Sequence, residues 1–436
     1  MDTPICDFVR NYGSKDTIRL HMPGHKGKAF LGVESLDITE IDGADSLYEA
    51  SGIIRQSEEN ASCLFGCDTF YSTEGSSQCI RAMLYLALLH GKGKRPRIAA
   101  GRNAHKTFLT GAALLDLDVR WLYPENGGAY LSCNLTAGEV EAVLEAEKPG
   151  AVYLTSPDYL GNVADIAAIA KVCHKHGALL LVDNAHGAYL KFLEPSRHPM
   201  DLGADLCCDS AHKTLPVLTG GAYLHCKAEF RDWAKHALAL FGSTSPSYLI
   251  LQSLDGANPY LASLADRLRE FIPRVNKVKE KLAAHGFALY GQEPLKITIS
   301  AKPHGYTGGE LAELLLKKNI VCEFSDPDYL VLMLTPEVGP AGLDALETAL
   351  LSVPRKSPIP ETPPRFRQGQ RVCSPREAML SPMETVPVEE SERRVLAAAA
   401  VGCPPAVPIV VSGERIDAHA IRCFRYYGIT HCSVMK

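Results

Sequence analysis

Four segments of the sequence carry side chains with chemistry to offer. GALLLVDNAHG ends an apolar run on Asp183, with His186 three residues further on. CCDSAHKTLPVLTGGAYLH sets Lys213 in a polar cluster with Ser210 and His212, between two apolar segments. STEGSSQCIRAML opens a helical pattern with Gly75, Ser76 and Ser77, and GRNAHKTF places His105 just after a short strand. An amine, a carboxylate, small donors at a helix start and a flat imidazole together suit one cofactor, pyridoxal phosphate. Its aldehyde needs a lysine amine for a Schiff base, and Lys213 supplies one. Its pyridine nitrogen stays protonated beside a carboxylate, the place of Asp183. Its phosphate suits helix N-terminal amides and small hydroxyls, here Gly75, Ser76 and Ser77, with Ser210 and His212 as further donors. His105 is the candidate to stack on the ring.

Taken singly, these parts decide little. A strand-end Asp is as often a cap or turn residue, a serine-rich helix start is commonly only a cap, and most lysines are solvated. Together they weigh more, because Asp183 and Lys213 lie 30 residues apart with βαβ-sized segments around them. In open parallel sheets, ligands bind outside the carboxyl ends of the strands. A further pair, His21 and His25 in HMPGHKGK, has the spacing of a helical metal site. Pro23 and Gly24 between them argue against a helix, and the glycine spacing does not make a Walker loop. A structural loop near a dimer interface is expected there, with no metal site.

The elements that must position these residues follow from periodicity. QCIRAMLYLALL is apolar at helical spacing, and RPRIAA follows as a short strand. GAVYLTSP and GALLLVDNAHG are glycine-bounded apolar runs, the mark of strands buried on both faces. Between them IAAIAKVCHKHG is an amphipathic helix ending at Gly177. Strand, helix, strand in this order predicts parallel βαβ units and a doubly wound α/β fold. The first 35 residues read as an irregular segment and 36–265 as the cofactor-binding large domain. A long helical stretch follows, expected to break near Pro273. KITISA, GGELAELLLKKN, IVCEF, YLVLML and GLDALETALLSV then predict a smaller α+β domain over 266–353. Residues 354–385, with PRKSPIPETPPRFRQG, read as a linker, and 386–436 as a C-terminal domain.

The 436 residues suffice for two or three domains, and no fixed-period repeat suggests a solenoid. Charged residues at 22% and hydrophobic ones at 46% are the balance of a globular protein. A net charge of -5 over this length offers no electrostatic footprint for nucleic acid. MDTPICDFVR has acids where a signal peptide is basic, and the long uncharged stretch Val395–Val411 is interrupted by Pro404, Pro405 and Pro408. No membrane partner is expected. The 14 cysteines never form a CxxC pair, so a cytoplasmic protein with reduced thiols is expected.

The blocks above resemble, in order, those of the Orn/Lys/Arg decarboxylase family, pyridoxal-phosphate enzymes that act on basic amino acids. LHMPGHKGK is similar to the family's amino-terminal signature, and LDITEIDGADSLYEASGIIRQSEENASCLFG to the segment after it. RNAHKT, TSPDYLGNVADI, LLVDNAHGAYL, SAHKTLPVLTGGAYLH and STSPSYLILQSLD resemble further blocks. SPREAMLSPMETVPVEES and CPPAVPIVVSGERI resemble the family's carboxyl-terminal domain, so the resemblance covers nearly the whole chain. It implies a fold-type I (aspartate aminotransferase-like) large domain with a mainly parallel sheet, a smaller α+β domain and a C-terminal decarboxylase-family domain. It also implies the short form without an amino-terminal wing domain.

The resemblance implies roles as well. Lys213 would carry the cofactor, Asp183 pair with the pyridinium, and His105 stack on the ring. Ser76, Ser77, Ser210 and His212 would hold phosphate, and His186 would lie near the ring oxygen or the reacting carbon. Ser243 and Thr244 of STSPSY would reach a phosphate in the neighbouring subunit of a homodimer or dimer-based oligomer. The implied reaction is loss of CO2 from a basic amino acid, with His186 or Lys213 returning a proton to Cα, feeding polyamine synthesis. Arginine is favoured over lysine and ornithine, because short members are often of that type.

Two letters depart from the pattern. Glu74 stands where many members have Asn before the phosphate-binding Gly, and Asn184 where members usually carry Glu. A carboxylate near a phosphate is unfavourable unless it points away or is paired. Two other readings stay open: another fold-type I activity, such as an aminotransferase or carbon–sulfur lyase, in which the shared Asp and Lys would look the same, and a catalytically silent pyridoxal-phosphate-binding regulator, which Glu74 and Asn184 keep alive. The HMPGHKG block and SPREA tail weigh against the first, and measured CO2 release separates the second. For the cationic end of the substrate, Glu40, Asp42, Asp45 and Asp158 are candidate carboxylates, and a bidentate fork would favour arginine.

Overall fold

The computed structural model describes residues 1–91, 97–125, 130–365, 367–398 and 406–436. The elements run α1 (Pro4–Gly13), α2 (Ile53–Phe65), β1 (Asp68–Ser72), α3 (Gly75–His90), β2 (Arg97–Gly101), α4 (Lys106–Leu114), β3 (Asp118–Leu122), α5 (Ala137–Glu147) and β4 (Ala151–Thr155). Then come α6 (Ile166–Lys175), β5 (Leu179–Asp183), β6 (Leu206–Asp209), α7 (Ala211–Thr214), β7 (Ala222–Cys226), α8 (Arg231–Ala239) and α9 (Tyr248–Leu261). The later elements are α10 (Leu264–Ala284), β8 (Ala288–Tyr290), β9 (Lys296–Ser300), α11 (Gly308–Leu316), β10 (Phe324–Ser325), β11 (Tyr329–Met333) and α12 (Gly339–Leu351). The last are β12 (Gln370–Arg371), α13 (Pro375–Met379), β13 (Met383–Pro387), β14 (Leu396–Ala398), β15 (Glu414–Arg415), α14 (Ala418–Tyr426) and β16 (His431–Met435). The chain divides into two compact units, Met1–Lys94 with Leu179–Leu268, and Arg95–Ala178 with Arg269–Lys436.

In the first unit β5 and β6 are parallel, with Asp183 opposite Cys208. Strand β7 is antiparallel to β6, with Tyr223 opposite Asp209, and antiparallel to β1, with Ala222 opposite Ser72. Two antiparallel steps restore direction, so β1, β5 and β6 share one carboxyl edge carrying Ser72, Asp183 and Asp209. Leu180, Leu181, Val182, Leu206, Cys207 and Cys208 are fully buried. Burial on both faces is the reason these strands read as unbroken apolar runs.

The amino-terminal segment differs from its irregular reading. Pro4 begins α1, whose Ile5, Cys6 and Val9 are buried against α2 and α9. The Cys6 backbone N–H donates to buried Asp255 Oδ2 at 2.9 Å. Three buried positions over ten residues are too few to show a period, although Pro at N1 suits a helix start. Beyond α1, the two loop histidines are engaged separately. His21 Nε2 lies 2.6 Å from the Tyr12 hydroxyl, and His25 Nε2 lies 3.2 Å from Asp37 Oδ2.

In the second unit β2 is parallel to both β3 and β4. A separate antiparallel sheet has the order β10-β11-β9-β8. The helix expected to break at Pro273 runs through it, because α10 contains that proline. Ordered elements begin at Gln370, inside the stretch read as a linker. The SPRE tetrapeptide there is a capping box: Glu377 N donates to Ser374 Oγ at 3.1 Å, and Ser374 N to Glu377 Oε2 at 2.7 Å. Proline and arginine composition obscured that signal. Strands β13, β16 and β14 form a small sheet, and Val388, Leu396, Phe424 and Val434 share a buried cluster with Tyr159 and Phe324. No described helix is long and apolar enough to cross a membrane.

Candidate active site

The carboxyl edge of the first unit gathers most of the candidate residues. Asp183 closes β5 and is 2% exposed, with Oδ1 accepting from Ala185 N at 3.2 Å. The next residues turn sharply, Gly187 N donating to Asn184 O at 2.7 Å, and this turn carries His186. Lys213 sits on the single turn α7 that follows β6, and its Nζ lies 2.9 Å from His186 Nε2. Ser210, just before α7, donates its hydroxyl to Ser76 Oγ at 2.8 Å, which ties that turn to the start of α3. The His212 ring is engaged by Gly221 O at 3.0 Å from Nδ1.

The start of α3 has the character of an anion site. Gly75 has φ of +70°, and a Cβ built there would meet nothing within 4 Å, so the helix begins beside open space. No side chain caps it. The Gly75 N–H donates to Gly220 O at 2.7 Å, and the Ser76–Ser210 hydroxyl pair adds polar groups at the same place. The dipole of a helix start favours negative charge. Glu74, the carboxylate next to it, accepts from the backbone N–H of Ser243. Ser243 and the exposed Thr244 therefore stand close to the α3 start of their own chain.

Asn184 has a partner that the sequence did not reveal. Its Nδ2 donates to Asp209 Oδ1 at 2.6 Å. The other oxygen of Asp209 lies 3.1 Å from both His198 Nε2 and His225 Nε2, and all three side chains are fully buried. Burial alone would raise the Asp209 carboxyl, but the two imidazoles outweigh it and hold it below its ordinary value. Burial likewise lowers His225. Asp209 was visible as the acid of CCDSAHK, yet nothing in the sequence linked it to Asn184, 25 residues earlier.

His105 belongs to the second unit. It caps α4, its Nδ1 accepting from Thr107 N at 3.1 Å. In the neutral ring the proton then rests on Nε2. The loop before it is pinned by Arg102, 1% exposed, whose guanidinium donates to Pro408 O at 2.7 Å and Ile409 O at 3.0 Å. Lys106 N donates to Ala406 O at 2.8 Å beside them. Sequence reasoning missed Arg102, although it stands in GRNAHKTF next to the strand.

The four carboxylates considered for the substrate separate into two groups. Asp45 accepts from the N–H groups of Ser46, Ser51, Gly52, Ile54 and Arg55. Burial raises its carboxyl, but those bonds outweigh burial and hold it below its ordinary value. Asp158 is buried, which raises its carboxyl, and accepts from Leu160 N and from both nitrogens of Asn162. Both are committed to their own loops. Glu40 and Asp42 remain exposed.

Pyridoxal phosphate fits what is present. An amine stands in contact with an imidazole, a buried carboxylate ends the neighbouring strand, and an uncapped helix start faces open space. Comparison with known proteins agrees. The family described as Orn/Lys/Arg decarboxylase matches through its major domain over residues 3–298 and its C-terminal domain over residues 369–432. The chain is 30% identical to protein YaaO of Bacillus subtilis over 97% of its own length and 93% of that protein's. It is 28% identical to the arginine decarboxylase of Bacillus subtilis, covering 96% of this chain and 92% of that one. In fold it is similar to the lysine decarboxylase LdcF of Francisella novicida, with a TM-score of 0.82 at 16% identity, over 100% of this chain and 81% of that one. With the family matched over most of its length and a fold-type I large domain, the chain belongs to the Orn/Lys/Arg decarboxylase family and is a pyridoxal-phosphate-dependent amino-acid decarboxylase.

Proposed function

We propose that the protein removes CO2 from arginine, in preference to lysine or ornithine, with Lys213, Asp183 and His186 carrying the reaction. The contact between Lys213 Nζ and His186 Nε2, 2.9 Å long and beside the strand end that holds Asp183, is the observation that carries this reading. Pyridoxal phosphate, when bound, supplies an aldehyde for amines and a ring that accepts the electron pair left behind by CO2. Lys213 holds the cofactor through Nζ, and the Asp183 carboxylate keeps the ring nitrogen protonated. His105 is assigned to ring stacking, and Gly75, Ser76, Ser77, Ser210 and His212 to the phosphate. Ser243 and Thr244 are assigned to the phosphate of a partner subunit. His186 and Lys213 share a proton across their contact, and one of them returns it to the substrate Cα.

The likeness to the arginine decarboxylase of Bacillus subtilis supports arginine. Glu40 and Asp42, the exposed two of the four candidate carboxylates, are assigned to its guanidinium. The large domain is assigned to 36–265, the smaller one to 266–353 and the C-terminal one to 386–436 with the elements from Gln370. A homodimer is part of the proposal, supported by Ile18, Leu20, Phe30 and Leu31, which are 79–89% exposed on one amino-terminal loop. So is a cytoplasmic role in supplying polyamine precursors. CO2 and amine release from purified protein with added pyridoxal phosphate, across arginine, lysine, ornithine and non-basic amino acids, tests the reading. Release from arginine alone supports it. Release from none, with cofactor bound at Lys213, overturns it in favour of a silent binding protein.

A further inference from the structure

Asp209 occupies a junction that the reaction as derived above does not use. Its backbone leads directly into Ser210 and Lys213, while its side chain reaches across to the turn that carries His186. That turn is held from within by Asn184. A Cβ on Gly187 would lie 2.0 Å from Asn184 Oδ1, so the amide lies across the glycine and fills the inside of the turn. The Oδ1 end of the amide is buried beside Gly187 with no hydrogen-bond partner among the described residues, and the Nδ2 end donates to Asp209 Oδ1 at 2.6 Å. Asp209 is itself fixed, because Oδ2 meets His198 and His225, and Thr69 Oγ1 lies 3.0 Å from His225 Nδ1 on the far side. Every member of this chain of contacts is buried. Buried networks of this kind keep one geometry, since a broken link leaves an unpaired polar group in low dielectric.

We infer that the Asn184–Asp209 pair is a positioning device that sets the His186 imidazole against Lys213 Nζ. This rests on the assignment of Lys213 as the cofactor lysine. Neither residue of the pair touches the reacting atoms. Their effect passes through the turn 184–187 on one side and through the Asp209–Ser210 backbone on the other. If the pair acts in this way, what matters is one donor and one acceptor meeting in the gap, and their order along the chain is secondary.

The test uses apoprotein with pyridoxal phosphate as the probe, in Asn184→Ala, Asn184→Asp, Asp209→Asn and the double variant Asn184→Asp/Asp209→Asn. Two readouts apart from turnover are the rate at which cofactor absorbance appears and the visible circular dichroism per bound cofactor. A displaced reactive group costs of order tenfold to a hundredfold in rate, so the single variants should capture cofactor at least about tenfold more slowly. Their visible dichroism should fall with it. Asn184→Asp should be the worst, because it sets two buried carboxylates against each other. The double variant restores one amide and one carboxylate, with the amide carbonyl introduced at position 209 left toward the two histidines, and should recover both readouts to within about twofold. Wild-type capture and dichroism in Asn184→Ala or Asp209→Asn, even with a lowered Tm, would overturn the inference. So would a double variant no better than Asn184→Asp. Should Asp209→Asn fail to fold, Asn184→Ala carries the same comparison. Lys213→Ala separates the underlying assignment, since capture that persists there overturns the choice of lysine.

Discussion

Asp326→Asn should stabilise the protein, and more so at alkaline than at acid pH. Asp326 follows β10, with Oδ1 accepting from Asp328 N at 2.8 Å and Tyr329 N at 2.7 Å. Its Oδ2 is buried with no hydrogen-bond partner among the described residues, as is Oδ2 of Asp328. Burial pushes its carboxyl up from 3.8 to about 6, against the pull of the backbone bonds and of Lys302. The folded protein therefore holds the proton through a range in which the unfolded chain has lost it, and stability falls as pH rises from 3.8 through 6. A shift of about two units at 1.36 kcal/mol each makes ionised Asp326 cost about 3 kcal/mol at pH 8, and about half that at pH 5. Asn keeps the Oδ1 acceptor and carries no charge. Urea unfolding of both proteins at pH 5 and pH 8 measures the difference, in which titrating groups remote from Asp326 cancel. A gain of about 3 kcal/mol at pH 8 that shrinks by about 1.4 kcal/mol at pH 5 is the expected outcome. An equal gain at both pH values, or a loss at pH 8, refutes the reasoning.

Other substitutions address the site. Lys213→Ala should abolish the absorbance of lysine-bound cofactor and turnover together, and surviving activity would remove Lys213 from its role. Asp183→Ala should leave weak cofactor binding and little catalysis, measured by cofactor titration and CO2 release, whereas near-normal turnover would sink the pyridinium assignment. Arg102→Met strips the donors from Pro408 O and Ile409 O and leaves buried Glu414, 3.9 Å from the guanidinium, without its cation. It should cost about 3–5 kcal/mol in urea unfolding, and a loss under about 1 kcal/mol would show the contact to be dispensable.

How much of this could be read from the sequence depended on how local each signal was. Strands β4 and β5 and helix α6 were legible because their apolar runs and caps lie within ten or so consecutive residues. Asp183, His186 and Lys213 were singled out because the ends of such strands are where ligands bind, and the structure sets His186 and Lys213 2.9 Å apart. The misreadings share a cause. Helix α1 gains its stability from α2 and α9, about 50 and 250 residues away, and α10 carries Pro273 where composition predicts a break. Tertiary packing overrides propensity in both. Arg102 and Asp209 were present in the quoted motifs, but their meaning lies in partners 306 and 25 residues distant.

The same distance explains the two departures from the family pattern. Glu74 and Asn184 gave the silent-regulator reading its motive, one by placing a negative charge beside the phosphate cradle, the other by removing one beside Asp183. In the structure the Glu74 carboxylate accepts from the Ser243 backbone N–H, so a neutral donor already engages it. Asn184 faces a buried carboxylate, which a second acid at that position would repel at 2.6 Å. The amide at 184 supplies a donor to Asp209 at 2.6 Å, and the 2.9 Å contact between His186 and Lys213 is present beside it. Each odd letter is thus explained by its local partner. Neither replaces Asp183, His186 or Lys213, to which the reaction is assigned, and this takes away the motive for the silent-regulator reading.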